Sequence, residues 1–273
     1  MYADDPKIYK VISKTEDIDD LQKAIDYVSN WSKTWELPLA VDKSCVLPIG
    51  RGPFNPSYQL AGRNLRCATE VRDLGFLIND KLKFASHCRM IASKAHLRTY
   101  RIFKALKTKN PQILVKAFKT YVRPIVECGT TVFSPFTKKD IDLLESVQNS
   151  FARKLMFRCS TVRYSLIPNG YERRKQLGLF SLHSRRLKND LIMAFKILKG
   201  EMSVEPRDFF DLTPSRTRGA HFKLRVSVAK TQVRSKFFSQ RVVSAFNSIL
   251  GGNVLSMSPQ SFRKLAARSV VSH

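Results

Sequence analysis

The spacing of apolar residues changes near Phe84, and this change limits what the chain can fold into. Before Phe84, apolar and β-branched residues occur in short runs separated by Pro and Gly, with one helical stretch among them. After it they recur every three or four residues, which places Cys88, Ile91 and Ala95 on one face of a helix. Short β-branched runs favour strands, whereas a period of 3.6 favours helices. The sequence therefore predicts an α+β module followed by a mainly α-helical region.

The first module contains one predicted helix between predicted strands. Ser13 and Glu16 have the spacing of a capping box, an apolar stripe runs from Ile18 to Trp35, and Pro38 ends it. The predicted strands cover residues 8–12, 39–49, 58–65 and 71–78. The order is strand, helix, strand and then a small antiparallel pair, which is typical of an α+β fold.

The second region contains a series of predicted helices. The first covers residues 88–107, and the second runs from Asn110-Pro111 through Val122, with a break at Pro124. The third starts at a Thr137/Asp140 cap, the fourth starts at Ser181, and the last covers 238–249 and ends at Gly251-Gly252. The stretch 203–232 is rich in Pro and basic residues, and we expect an extended or partly disordered arm there.

The positive charge lies entirely in the second region. The chain carries 48 Lys and Arg against 22 Asp and Glu, a formal net charge of +26. Residues 1–80 have a net charge of −2 and residues 81–273 have +28. An excess of this size indicates a polyanionic partner, of which nucleic acid is the commonest. A basic stripe beside the apolar face of the helix after Phe84 fits a phosphate backbone or, equally, an ordinary amphipathic surface helix; its residues are Lys94, Arg98, Arg101 and Lys104.

The cysteines and the absence of long apolar runs bear on the compartment. Five cysteines stand 21 to 40 residues apart and form no CxxC pair, which argues against a zinc knuckle or a disulfide framework and favours buried or half-buried thiols. No stretch approaches 18 consecutive apolar residues, and no basic segment precedes an apolar run at the N-terminus. We expect an intracellular protein, nuclear or cytoplasmic, that is neither secreted nor in a membrane.

Two adjacent carboxylates, Asp4 and Asp5, precede the first predicted strand. Oxygen ligands suit Mg²⁺, and two such ions can stabilise the attacking and leaving oxygens of phosphoryl transfer. An Asp-Asp pair is also a common turn or cap element, as Asp19-Asp20 in the first turn of the predicted helix illustrates. The dipeptide alone leaves both interpretations open.

A set of motifs in one order covers nearly the whole chain. They are Tyr2-Ala3-Asp4-Asp5, Leu21-Gln22, Trp31-Ser32-x-x-Trp35-x-Leu37, the stretch 39–46 with Lys43, Asp73-Leu74-Gly75-Phe76, Tyr121-Val122-Arg123-Pro124, Thr217-Arg218-Gly219 and the stretch 234–243. Together they resemble the C-terminal part of a non-LTR (LINE-type) retrotransposon reverse transcriptase. The first motif is similar to the Tyr/Phe-x-Asp-Asp motif of that family, and the later ones resemble its primer-grip hairpin and the segments after it.

The resemblance implies a partial polymerase palm, with a few antiparallel strands and one helix, followed by a helical thumb and C-terminal region. The implied domains are a palm with a primer-grip-like hairpin at 1–84, a thumb at 85–136, a helical region at 137–202, and a basic arm with a terminal helix at 203–273. The implied roles are catalytic Mg²⁺ ligands for Asp4 and Asp5, a primer or nucleotide contact for Tyr2, a triphosphate contact for Lys43, and primer binding for Leu74 and Gly75. A solvated strand residue is an equally open interpretation of Lys43.

The resemblance also has departures. The family's metal site needs a further palm aspartate and its nucleotide pocket needs fingers, and both lie upstream of the matched segment. Pro6 stands where relatives carry Thr, and Phe246 where they carry Trp. We therefore expect an RNA template and a DNA primer as partners, with deoxynucleotides bound only when palm and fingers are supplied, and no polymerisation by this chain alone. The alternatives are a non-catalytic RNA- or DNA-binding module and a decayed element product without a selected function.

Overall fold

The computed structural model describes residues 6–50, 52, 54, 56–159, 167–214, 222–250 and 254–270. The chain divides into two compact units, residues 1–83 (unit 1) and 84–273 (unit 2). Unit 1 combines one long helix with short strands, and unit 2 is mainly helical with one strand pair. The predicted mixture of helix and sheet is thus confirmed. No helix in the described ranges is long and apolar enough to cross a membrane.

The described part of unit 1 contains one α-helix, α1 (Thr15–Thr34), and three pairs of short strands. The strands are β1 (Cys45–Val46), β2 (Gln59–Leu60), β3 (Arg63–Asn64), β4 (Arg66–Cys67), β5 (Glu70–Asp73) and β6 (Phe76–Asn79). β2 with β3 and β5 with β6 form antiparallel hairpins, whereas β1 and β4 pair in parallel. The parallel pair departs from the expected set of antiparallel strands.

Helix α1 is held by its cap and by one polar side chain. The Asp17 carboxylate accepts the backbone N–H groups of Ser13 at 2.9 Å and Lys14 at 3.1 Å, one residue later than the predicted Ser13/Glu16 box. These bonds and the lysine at position 10 lower the pKa of Asp17. Farther along, the Gln22 amide donates to the carbonyl of Gln59 and accepts from its N–H, both at 2.9 Å. One side chain thus fixes β2 against the helix over a small core centred on Ile25, Tyr58 and Leu60.

All four predicted strands of unit 1 were wrong in extent. Residues 8–12 form no strand, because no described residue pairs with them, and Tyr9 is 93% exposed. The predicted strand 39–49 shrinks to β1, because the Ser44 amide and hydroxyl bond to the carbonyl of Ala40 and close a 3-10 turn over Val41–Lys43. Lys43 therefore lies exposed at the end of a turn and not on a strand. Stretches 58–65 and 71–78 are each a hairpin instead of one strand.

Unit 2 is built from twelve helices in its described part, most of them short. They are α2 (Ala85–Ala105), α3 (Pro111–Tyr121), α4 (Arg123–Glu127), α5 (Thr130–Phe133), α6 (Lys138–Cys159), α7 (Gly170–Gln176), α8 (Leu182–Leu198), α9 (Pro206–Phe209), α10 (Gln232–Ser235), α11 (Phe238–Arg241), α12 (Val243–Ile249) and α13 (Pro259–Ser269). A hairpin of β7 (Leu212–Pro214) and β8 (Phe222–Leu224) follows α9.

The predicted starts of three helices in unit 2 are confirmed. The side chain of Asn110 accepts the N–H of Gln112 at 2.9 Å, and Thr137 and Ser181 accept amides three residues on at 3.2 and 3.0 Å. Pro124 opens the new helix α4 and so breaks the chain direction where predicted. These signals are local, and local sequence is sufficient to set them.

The C-terminal third departs from prediction. The expected irregular arm at 203–232 contains α9 and the β7–β8 hairpin, and it buries Phe210 and Leu224 in the core. The predicted helix 238–249 is two helices, α11 and α12, and its predicted end at Gly251-Gly252 lies outside the described residues. Helix α13, capped by Ser258, was not predicted. Its Phe262 ring stacks on Phe195 with centroids 4.1 Å apart.

A buried ion pair joins three helices of unit 2. Asp190 on α8 is 3% exposed, and the guanidinium of Arg241 on α11 donates to both of its oxygens, at 2.8 and 2.9 Å. The same guanidinium donates to the carbonyls of Thr130 and Thr131 on α5 at 3.1 and 3.0 Å. Burial raises the pKa of Asp190, and the hydrogen bonds from Arg241 oppose that rise. Arg241 therefore holds α5, α8 and α11 together.

A second arginine closes the end of α2. The Arg158 guanidinium on α6 donates to the carbonyls of Phe103 and Leu106 at 2.8 and 2.6 Å, and it lies 4.7 Å from the Phe103 ring centroid. A cation at a helix C-terminus satisfies free carbonyls and complements the helix dipole. Next to it, Phe118 and Phe151 stack at 4.2 Å, so α2, α3 and α6 form one aromatic core.

The cysteines are less buried than predicted. Cys67 and Cys128 are exposed, Cys45 and Cys159 are half-buried, and Cys88 is fully buried. Burial raises the pKa of Cys88 to about 12, so that thiol stays protonated at neutral pH.

Candidate nucleic-acid interface

The predicted catalytic motif lies outside the described residues. Tyr2, Asp4 and Asp5 are not described, so their proposed roles stay predictions. The described chain begins just after them, and Lys7 forms an ion pair with Asp73, the last residue of β5. The segment that follows the motif is therefore attached to the tip of the β5–β6 hairpin. This contact involves Asp73, the first residue of one of the motifs that carry the resemblance.

The tip of that hairpin has an unusual backbone. Its two central residues both have positive φ, 44° at Leu74 and 90° at Gly75. Two such residues form the two-residue hairpin turn that matches the twist of the strands, for which Asn-Gly is the preferred pair. Gly accepts this conformation freely, but a leucine side chain there costs about 1 kcal/mol. Leu74 is nevertheless 53% exposed. The primer-contact role of Leu74 stays a prediction.

Leu74→Asn is expected to stabilise unit 1 by about 0.5–1 kcal/mol, because asparagine tolerates positive φ better than leucine. Leu74→Val is expected to destabilise it, since a β-branched residue at positive φ is a genuine outlier. The measurement is urea denaturation of the three proteins side by side. If leucine contacts the primer, the more stable Leu74→Asn protein will also bind a template–primer duplex more weakly. Equal stability of the asparagine and valine variants would contradict the backbone argument.

The four predicted basic residues form one continuous exposed stripe on α2. Lys94, Arg98, Arg101 and Lys104 are all exposed, while the opposite face is buried against α6. From Lys94 to Lys104 the helix rises ~15 Å, which corresponds to about four phosphate steps of one strand at ~3.4 Å each. The stripe therefore presents four positive charges to solvent along ~15 Å of helix.

Two exposed apolar side chains lie within this stripe, and the sequence analysis missed them. Leu97 and Tyr100 are each about half exposed, between and beside the basic residues. An aromatic ring interleaved with cations is typical of surfaces that contact bases or sugars as well as phosphates. Leu97 lies three residues after Lys94, and Tyr100 lies three residues after Leu97. This helical spacing could have placed both side chains next to the basic residues.

The sequence around the stripe contains no carboxylate. Between Asp80 and Glu127 the sequence contains twelve Lys and Arg and no Asp or Glu. Among the described ion pairs, none involves the four stripe residues. Their charges are therefore directed to solvent, available to a polyanion.

The described residues do not assemble a metal site. Within the described ranges, no group of three or more His, Cys, Asp and Glu side chains is close enough to hold an ion. Lys43, at the end of its turn, is exposed. The proposed Mg²⁺ site accordingly depends on the undescribed Asp4 and Asp5.

Comparison with known proteins gives one relative. The chain is 26% identical over 132 residues to an uncharacterized protein of Caenorhabditis elegans, a match that covers 48% of this chain and 65% of that protein. The matched segment thus spans less than two thirds of the relative. No family model matches the chain, and no solved structure matches it.

Proposed function

We propose that this chain derives from the palm end, thumb and C-terminal region of a LINE-type reverse transcriptase, and that it binds a template–primer duplex. The observation that carries the proposal is the stretch between Asp80 and Glu127, which is basic throughout and free of carboxylates. Its exposed stripe on α2 supports phosphate binding. In this assignment residues 1–84 are the partial palm, residues 85–136 are the thumb, and the helices after them belong to the C-terminal region.

The β5–β6 hairpin supports the palm assignment. Its tip carries Leu74 and Gly75, the residues assigned to the primer by the resemblance, and Lys7 attaches the segment after Asp4-Asp5 to that tip. The resemblance assigns a carboxylate pair able to bind Mg²⁺ to the segment just before Lys7. Asp4 and Asp5 would supply two of the ligands, and in the family a third comes from another palm segment.

Binding is tested by titrating a fluorescent RNA–DNA hybrid with the protein at several salt concentrations. Backbone binding requires the logarithm of the association constant to fall linearly with the logarithm of salt concentration, by about 0.9 for each phosphate neutralised. Tight binding that is indifferent to salt would contradict the proposal.

Catalysis is tested separately by primer extension with Mg²⁺. We expect no template-dependent synthesis from this chain alone, since two carboxylates leave the metal ions without their full ligand set. Synthesis that disappears in the Asp4→Asn variant would show instead that the chain is an active polymerase.

A non-catalytic RNA- or DNA-binding module is the second candidate, and the charge distribution favours it equally. The two candidates differ in the hairpin. If the tip binds the primer, changing Leu74 will weaken binding of a primed template more than binding of an unprimed one. A simple basic module will bind both equally well after the change. A chain without a selected function would in addition lack a cooperative melting transition.

A further inference from the structure

A second group of cations lies away from the stripe, where α8 packs against α4 and α13. Its members, called the four-cation cluster, are Arg123 on α4, Arg185 and Lys188 on α8, and Arg263 on α13. One carboxylate, Glu127 on α4, lies among them. The Arg185 guanidinium donates two hydrogen bonds to it, of which the Nη2–Oε2 bond measures 2.9 Å. The Arg123 Nε is 3.6 Å from the same carboxylate.

The cluster is partly buried and its charge is not balanced. The side chains of Arg123, Arg185 and Glu127 are 22%, 24% and 13% exposed. Four cations against one carboxylate leave three positive charges. Burial lowers the pKa of Lys188, and so do Arg185, Arg263 and Arg123; burial and Arg185 likewise lower the pKa of Arg123. Arg123, Arg185 and Lys188 are half-buried and Arg263 is exposed. The mutual repulsion of like charges so placed is unfavourable, and an anion bound among them would reduce it.

We propose that the four-cation cluster is a second phosphate-binding site on unit 2, and that its ligand is the backbone of the bound nucleic acid. Glu127 accepts hydrogen bonds from Nε and Nη2 of Arg185 and holds that guanidinium in a fixed orientation. A guanidinium has five N–H groups, so others can donate to the oxygens of a phosphate. The cluster belongs to a region with a net charge of +28, which a single small anion would neutralise only locally. The proposal rests on the proposed function, because it takes nucleic acid as the partner.

The test removes the two cations that do not bond to Glu127. In the double variant Lys188→Gln, Arg263→Gln, we expect the affinity for an RNA–DNA hybrid to fall about tenfold near 0.1 M salt, with a salt slope smaller by about 2. The variant Glu127→Gln removes the carboxylate and is expected to bind two- to fivefold more tightly. These opposite signs cannot both follow from loss of folding, and melting curves will report folding directly. Unchanged affinity in the double variant overturns the proposal.

A matched variant controls for total charge. Lys175→Gln, Lys264→Gln also removes two exposed cations from unit 2, outside the cluster. An equal loss of affinity in both double variants would show diffuse attraction and would overturn the site. Glutamine substitutions at the four stripe residues of α2 separate this inference from the proposed function. If they weaken binding while the cluster variants do not, only this inference fails. If neither set changes binding, the proposed function fails as well. Inorganic pyrophosphate that binds at the cluster without competing with the hybrid would also overturn the nucleic-acid assignment.

Discussion

Replacing Lys94, Arg98, Arg101 and Lys104 together by glutamine is expected to weaken binding of an RNA–DNA hybrid by roughly 10²- to 10³-fold near 0.1 M salt. Each lost phosphate contact removes the release of about 0.9 counterion, so the salt slope should decrease by about 3 to 4. The four side chains are exposed and make no ion pair among the described residues, so the fold should be unaffected. The measurement is a fluorescence titration at 50, 100 and 200 mM salt.

The control for that experiment carries the same change of charge elsewhere. Glutamine at four other exposed lysines of unit 2 lowers the net charge equally; these are Lys138, Lys139, Lys175 and Lys264. We expect this control to lose much less affinity than the stripe variant, because long-range attraction is screened within about 10 Å at 0.1 M salt. Equal losses would mean that total charge, and not the stripe, determines binding.

Arg241→Ala is expected to destabilise unit 2 by about 3–5 kcal/mol, because it leaves the buried Asp190 carboxylate without its partner. It also removes donors from the carbonyls of Thr130 and Thr131. Arg207→Ala is the matched control, since Arg207 pairs with Glu205 at 3.9 Å with its side chain 83% exposed. Loss of such a surface pair is expected to cost at most about 1 kcal/mol. Urea denaturation at neutral pH measures both.

A double variant separates the value of the pair from the cost of breaking it. Asp190→Leu with Arg241→Met replaces both charges by apolar side chains of similar size, and it should lose less stability than Arg241→Ala alone. If the double variant is the least stable protein, the Asp190 side chain stabilises unit 2 by interactions other than its pair with Arg241.

The sequence predicted the helices of unit 2 better than the strands of unit 1 for a physical reason. A cap such as Asn110 with Pro111 is complete within a few residues, so its signal is local. The pairing of β1 with β4 joins Cys45 to Arg66, and nothing near either residue specifies the other. Lys43 was predicted to lie on a strand because the β-branched Val41 and Val46 lie near it. Hydrogen bonds from Ser44 to the carbonyl of Ala40 close a 3-10 turn there instead.

The candidate interface was predicted only in part. The basic stripe on α2 follows from helical spacing alone, and it lies exposed on one face as expected. The ion pair of Lys7 with Asp73 and the four-cation cluster join residues more than 50 positions apart, which periodicity cannot detect. Helix α13 was missed although Ser258 and Pro259 mark its start, because its apolar face is only Phe262, Ala266 and their neighbours.

The small core of unit 1 has a consequence for how readily that unit opens. Among the described residues, that core centres on Ile25, Tyr58 and Leu60, whereas unit 2 encloses stacked rings and a buried ion pair. Opening free energy follows buried apolar contact, so unit 1 will exchange its amide protons faster than unit 2. In the proposed function, the β5–β6 hairpin at Leu74 would adjust its conformation when a ligand binds, while α2 would keep its conformation.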